Sequence, residues 1–178
     1  MNGFSLDWLL LTLRNAAPLV TVLFAGLVAT LPWPFVVGSS TLTGTAPDLA
    51  FMAVYFWRMV RPDLLRPSAV FLVGFLLDAL SGAPLGMSSL AYLIAILMVG
   101  RLAQVIVPLS GLFWFGGFVL AAATVTVLSW VVVSLWSLSF VPLLPLAVSF
   151  IWTVLLYPLM GMALMLVMRL LVPTQVAR

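Results

Sequence analysis

Long apolar runs, separated by short polar or proline-containing stretches, make up most of the chain. They predict six α-helices, at residues 16–37, 48–60, 67–80, 87–107, 112–137 and 143–172. The longer runs reach the roughly 20 apolar residues with which a helix crosses a hydrocarbon core of about 30 Å. The longest polar stretch, residues 38–47, is too short for a water-soluble domain. The pattern therefore predicts one all-α domain over residues 1–178, an integral membrane protein with six transmembrane helices.

The second and third runs are unusually short. They contain about 13 and 14 residues, fewer than the roughly 20 needed to span a bilayer unaided. Either their flanks extend them or the other helices enclose them, and the sequence is compatible with both arrangements. The first run is expected to be a retained helix and not a cleaved signal. The residues before it include Asp7 and a single arginine, Arg14, and no Ala-x-Ala cleavage site follows.

The composition agrees with a membrane protein and excludes several kinds of enzyme. Of 178 residues, 65% are hydrophobic and 6% are charged, whereas soluble domains have about 25% charged residues. The chain has no His and no Cys, and all its charged side chains are arginine or aspartate. It cannot assemble a Ser-His-Asp or Cys-His nucleophile, a zinc site of His and Cys ligands, or a Schiff-base lysine. We expect a protein that is not an enzyme and has no cofactor or metal.

The arginines predict the orientation in the membrane. With six transmembrane helices, all seven fall on the side of the N-terminus, at positions 14, 58, 61, 66, 101, 169 and 178. Because cytoplasmic loops carry an excess of Lys and Arg, both termini are expected in the cytoplasm. Scattered arginines form no basic stripe, so nucleic acid is not an expected partner. A predicted cytoplasmic basic patch either binds anionic lipid and cytoplasmic proteins or only sets the topology. It consists of Arg58, Arg61, Arg66 and Arg101.

Tryptophans near the predicted helix ends suit the two membrane interfaces, where aromatic belts form. Trp57 and Trp114 lie near inner ends and Trp136 near an outer end. With Trp8 and Trp33, which also lie near predicted helix ends, these side chains are expected in interfacial belts.

Two aspartates near the predicted outer side are the candidate polar site. Asp78 lies near the outer end of the third helix, and an ionisable residue at membrane depth is a functional candidate. It is either a proton, cation or partner site, or a structural group. In the structural interpretation it bonds to Ser81, Ser88 or Ser89, or caps the fourth helix. Asp48 stands at a helix start, so capping is the simpler interpretation there, and catalysis by the two carboxylates is not expected.

Residues 47–98 resemble the MreD family of bacterial rod shape-determining proteins. The resemblance rests on PDLAFMAVYFWRMVRP followed by GFLLDALSGAPLGMSSLAYLIAIL. These segments hold a Pro-Asp-Leu helix start, an aromatic pair at Tyr55 and Trp57, a Gly-x-x-x-Asp helix and a Ser-Gly-x-x-Leu-Gly turn, in the family's order. Pro32-Trp33-Pro34 adds to the match. The motif residues, which are also candidate partner contacts, are Pro47, Asp48, Gly74, Asp78, Gly82, Leu85 and Gly86.

The resemblance implies a scaffold of the bacterial inner membrane. Such a protein supports rod shape and lateral peptidoglycan synthesis within the cell-elongation complex. The implied partners are MreC, the MreB filament, RodA and a class B penicillin-binding protein, with the bundle docking the single membrane helix of MreC. The family's bundle is also similar to the substrate-binding subunit of energy-coupling-factor transporters. That similarity supplies the alternative function, a small-solute-binding subunit of a vitamin-type importer.

Overall fold

A computed structural model describes the backbone of residues 3–30, 46–106 and 111–171, and side chains within residues 16–30, 46–101 and 113–170. Every regular element in this part of the chain is an α-helix, which confirms the all-α prediction. The helices are α1 (Gly3–Thr30), α2 (Leu49–Val60), α3 (Pro67–Ser81), α4 (Met87–Ile106), α5 (Gly111–Ser137) and α6 (Leu143–Leu171).

The described ends of α2 to α6 agree with the apolar runs to within one residue. The predicted start of the first helix at residue 16 is wrong, because α1 begins at Gly3. Pro18 therefore lies inside α1 and does not start it. The hydroxyl of Thr21 donates to the carbonyl oxygens of Ala17 at 2.8 Å and Pro18 at 3.0 Å. The predicted end of this helix at residue 37 lies outside the described residues, as does the Pro32-Trp33-Pro34 segment.

The short helix α2 occupies the centre of the bundle and packs on α1, α4 and α6. All its side chains from Ala50 to Trp57 are buried. Its 12 residues extend only about 18 Å, so neighbouring helices and not length keep it away from water. For the short runs the sequence left open either extension by their flanks or enclosure by the other helices. In the structure, the other helices enclose α2.

Trp57 is part of this core and not of an interfacial belt, so the prediction for it is wrong. Its side chain is fully buried, and its indole Nε1–H donates to the hydroxyl of Thr21 at 2.8 Å. Inside the bundle, the Thr21 hydroxyl thus accepts the indole hydrogen bond that water or lipid headgroups would accept at a membrane interface. Trp114 is half-buried and Trp136 is 75% exposed, as expected for side chains near the bundle surface.

The helices α5 and α6 form the outer part of the bundle. Two segments of them, Phe113–Ser137 and Leu143–Leu170, are long and apolar enough to cross a membrane. Only 22% and 11%, respectively, of their most apolar stretches are buried. The structure therefore has two helices that could span a bilayer, and most of their residues are half-buried or exposed.

Candidate functional site

Asp48 joins the starts of two helices. It is the N-cap of α2, and its Oδ1 accepts a hydrogen bond from the backbone N–H of Phe51 at 2.9 Å. The same oxygen accepts from the hydroxyl of Tyr92, in α4, at 2.6 Å. The capping prediction for Asp48 is thus confirmed, and the carboxylate also ties α2 to α4.

Two hydroxyls of α6 hold the segment that precedes α2. The backbone N–H of Asp48 donates to Thr153 Oγ1 at 3.0 Å. The hydroxyl of Ser149, one helical turn earlier, donates to the carbonyl oxygen of Ala46 at 2.6 Å. Because these bonds satisfy backbone groups that would otherwise be unpaired, the entry into α2 is fixed against α6.

A small polar cavity of about 110 Å³ lies beside Asp48, between α2, α5 and α6. Its polar lining consists of Asp48 and the hydroxyls of Thr126, Ser129, Ser149 and Thr153. A space of this size and polarity can hold a few water molecules. It is smaller than the roughly 300–1,000 Å³ of pockets that enclose small organic ligands.

Asp78 caps α4. Its side chain is fully buried, and both carboxylate oxygens accept from the backbone N–H of Ser88, at 3.2 and 3.0 Å. Ser88 is in the first turn of α4, where N–H groups have no partner within the helix and the helix dipole favours a negative charge. The structural interpretation of Asp78 is therefore confirmed. The hydroxyl of Ser81 donates to the backbone carbonyl of Asp78, not to its carboxylate.

Three glycines of the motif shape the α3–α4 connection. A Cβ at Gly74 would lie 2.7 Å from the backbone N and Cα of Ser89, so only glycine allows this approach of the two helices. Gly82 ends α3 with φ of 69°, and Gly86 has φ of 91°, a region that suits glycine and strains other residues. The predicted turn over 82–86 is confirmed.

The motif residues are thus distributed over one end of the bundle. Gly74 and Asp78 are buried against α4, while Pro47 and Asp48 lie where α2 meets α6. Leu85 is the member that points outward, with 64% of its side chain exposed. A partner contact at these residues stays a prediction.

The motif gave no indication of an aromatic cluster that packs beside the Asp48 network. The rings of Phe118 in α5 and Tyr157 in α6 are stacked, with centroids 3.7 Å apart. Tyr55 packs edge-on against both, and its hydroxyl donates to the carbonyl of Trp114 at 3.1 Å.

The hydrogen bonds of α6 to the segment around Asp48 were not predicted, because the sequence of α6 has no motif. The four-residue spacing of Ser149 and Thr153, two hydroxyls on one face of an apolar helix, was the available signal.

The basic patch has two arginines whose side chains bond locally. Arg58 donates to the carbonyl oxygen of Pro62 at 3.1 Å and approaches Gly100 of α4. Arg61 bonds to Asp63 at 3.1 Å and, by this hydrogen bond, holds the pKa of Asp63 below its usual value. Both arginines stabilise the turn between α2 and α3.

Arg66 and Arg101 are exposed, and neither has an ion-pair partner in the described part of the chain. The contact of Arg58 with Gly100 places the α2–α3 turn beside the neighbouring Arg101. The four arginines of the patch therefore share the end of the bundle opposite the aspartates Asp48 and Asp78. The side chain of Arg14 and the whole of Arg178 lie outside the described residues.

Comparison with known protein families, with curated proteins and with solved structures finds no match. Within the described residues, no group of three or more His, Cys, Asp or Glu side chains is placed to hold a metal ion.

Proposed function

We propose that this protein is a non-enzymatic membrane scaffold of the MreD type in the bacterial cell-elongation complex. In this proposal six helices cross the inner membrane, both termini are cytoplasmic, and the bundle docks the membrane helix of an MreC-like protein. The MreB filament, RodA and a class B penicillin-binding protein are the further proposed partners. The protein would thereby support rod shape and lateral peptidoglycan synthesis. The starting point is the resemblance of residues 47–98 to that family.

The observation that carries the proposal is the uncovered apolar surface of α5 and α6. Most residues in the apolar stretch of both helices are half-buried or exposed. Leu135, Leu155 and Leu159 are 70%, 65% and 62% exposed, respectively. Apolar faces of this kind require lipid or the helices of other proteins around them. Such faces suit a scaffold, because a scaffold acts through contacts between helices.

The use of the polar groups also supports a scaffold. Asp48 and Asp78 bond to the first N–H groups of α2 and α4, so they stabilise helix ends. Their bonds hold α2, α3, α4 and α6 in fixed positions, and the cytoplasmic end carries the arginines. A bundle of this design presents a constant shape to its partners.

The solute-binding alternative receives less support, because the polar cavity is small and the larger openings beside α5 and α6 are lined almost wholly by apolar side chains. The cavity beside Asp48 has a volume of about 110 Å³, whereas pockets for small organic ligands occupy roughly 300–1,000 Å³. A vitamin-sized solute could enter there only if α5 and α6 separated from α2. We therefore prefer the scaffold.

The experiment that tests the proposal is purification of the tagged protein from its native membrane in mild detergent, followed by mass spectrometry of proteins and small molecules. We expect an MreC-like protein together with RodA and a class B penicillin-binding protein. A stoichiometric vitamin-like solute, or an ATP-hydrolysing transport module, would overturn the scaffold proposal in favour of the importer. Recovery of the protein outside the membrane fraction would also overturn it.

The role of the arginines is tested in the same preparation. The triple variant Arg58→Gln, Arg61→Gln, Arg66→Gln should recover less of the partner proteins than the wild type. The matched control is Leu72→Ala, which changes a side chain that is 66% exposed on α3. Equal recovery with the two variants would rule out a role for these arginines in partner binding.

A further inference from the structure

An apolar groove of about 570 Å³ opens on the side of the bundle, between the end of α2, the start of α5 and the second half of α6. Phe56 and Val60 form its wall on α2, and Trp114 and Phe115 form the wall on α5. The α6 side runs from Tyr157 to Arg169. The end of α2 and the end of α6 therefore lie at the same end of the bundle as the start of α5.

The length of the groove matches one leaflet of a bilayer. At a rise of about 1.5 Å per residue, the α6 wall from Pro158 to Arg169 is roughly 16 Å long. A hydrocarbon core of roughly 30 Å has leaflets of about half that thickness. If Arg169 lies at the membrane surface, as the other arginines at this end suggest, the groove extends about to the middle of the bilayer.

Arg169 supplies a positive charge at one end of this groove. Its side chain is exposed and has neither a hydrogen bond nor an ion pair within the described part of the chain. The nearby Arg58 and Arg61 are engaged with Pro62 and Asp63. Arg169 is thus available to an anionic group at the level of the lipid headgroups, where each arginine adds about 1 kcal/mol of attraction.

The open space of the groove depends on a glycine. A Cβ at Gly161 would meet no atom within 4 Å, so the position is empty and not closely packed. Met162 and Met165 line the same stretch, and methionine side chains adapt to flexible apolar ligands. These features suit a flexible hydrocarbon chain.

We propose that this groove binds an anionic phospholipid, with one acyl chain lying along α6 beside Gly161 and the phosphate at Arg169. The proposal rests on the membrane location that is part of the proposed function. The complementary charge of Arg169, the length of one leaflet and the apolar lining together specify this ligand.

The test is retention of lipid by the purified full-length protein. The protein is incorporated into mixed micelles with equal amounts of phosphatidylglycerol and phosphatidylethanolamine that have the same acyl chains, and bound lipids are counted by native mass spectrometry. We expect one phosphatidylglycerol to be retained in preference to phosphatidylethanolamine. Arg169→Gln should reduce that retention about fivefold, the equivalent of about 1 kcal/mol. The control is Arg169→Lys, which keeps a positive charge at the end of the groove and should keep most of the retention.

A second pair of variants tests the position of the acyl chain. Gly161→Leu fills the groove and should lower retention of phosphatidylglycerol severalfold. Gly116→Leu adds the same side chain at an exposed position of α5 where a Cβ also meets no atom within 4 Å, and should leave retention unchanged. Both variants add atoms to open space, so both should fold, and circular dichroism of the helices checks this.

Three results would overturn the lipid proposal. These are equal retention of the two lipids by the wild type, equal retention by Arg169→Gln and Arg169→Lys, or equal retention by Gly161→Leu and Gly116→Leu. A protein helix recovered in place of the lipid, and lost in Gly161→Leu, would assign the groove to that partner instead. Failure of the lipid test leaves recovery of the MreC-like partner unaffected, so it is distinguishable from failure of the proposed function.

Discussion

The centre of the bundle and its outer helices are both strongly apolar, yet they are covered in different ways. Every residue of α2 from Ala50 to Trp57 is buried by other helices. In α5 and α6 only 22% and 11% of the most apolar stretch is buried. Low polarity along a helix therefore indicates that the helix avoids water. Whether protein or lipid replaces the water depends on the neighbours of the helix.

The polar groups of α5 differ from those at the ends of α2 and α3. At the ends of α2 and α3, carboxylates bond to other segments of the chain, as Asp78 does to Ser88. In α5 the hydroxyls of Thr126 and Ser137 donate to carbonyl oxygens four residues earlier in their own helix. The bonds of the carboxylates join two helices. The bonds of the α5 hydroxyls only satisfy these hydroxyls within their own apolar helix.

Replacing a tryptophan in each region should give the largest contrast. We expect Trp57→Ala to lower the free energy of unfolding by about 3–5 kcal/mol, because it leaves a cavity in the core. Trp136→Ala, at a side chain that is 75% exposed, should change it by less than about 0.5 kcal/mol. Reversible unfolding of both variants in the same detergent measures the difference. Similar losses would contradict the core position of Trp57.

Replacing a glycine in each region should give effects of opposite sign. Gly74→Ala puts a Cβ 2.7 Å from the backbone of Ser89, and such overpacking costs about 1–3 kcal/mol. Gly116→Ala meets no atom within 4 Å and should stabilise α5 by up to about 1 kcal/mol, because alanine favours the helix. The same unfolding measurement checks both. A stabilising Gly74→Ala would show that α3 and α4 are farther apart than the structure has them.

Removing a polar group in each region should give a smaller contrast. Asp78→Ala removes the cap of α4 and should cost about 1–2 kcal/mol. Asp78→Asn retains an acceptor oxygen and should recover part of that loss. Thr124→Val removes a hydroxyl that donates to Leu120 of its own helix and, at the long distance of 3.9 Å, to Met98 Sδ of α4; it should cost less than about 0.5 kcal/mol. If Asp78→Ala and Thr124→Val had equal effects, the carboxylate would not stabilise the α3–α4 connection.

The smallest effect concerns an exposed carboxylate, Asp63, which lies in the turn between α2 and α3. Its hydrogen bond with Arg61 lowers its pKa in the folded protein, so the pair contributes stability at neutral pH. That contribution is lost as the pH falls from the unfolded pKa, near the ordinary aspartate value of about 4, through the lower folded pKa. In Arg61→Gln the pKa of Asp63 should rise towards its ordinary value, as measured by NMR titration of its carboxyl carbon. An unchanged pKa would mean that the ion pair does not persist in solution, as is common for exposed pairs.

Part of the fold and of the site could be predicted from local sequence. Prolines, glycines and the lengths of the apolar runs indicated the described ends of α2 to α6, because these residues act on the backbone where they stand. Asp48 was predicted as a cap for the same reason, since a cap bonds only two or three residues ahead. The start of α1 was predicted wrongly because the apolar run begins at residue 16, whereas the helix begins at Gly3.

The chain's sequence by itself determined the number and type of its described helices, its lack of His and Cys chemistry, and the turn at Gly82 and Gly86. Only the tertiary structure decided that Trp57 is in the core, that Tyr92 and Thr153 both bond to Asp48, and that a groove forms beside Arg169. The physical reason is the range of the interactions. Helix formation and capping act between residues a few positions apart, whereas burial and cavities arise from contacts between residues such as Asp48 and Thr153, 105 positions apart.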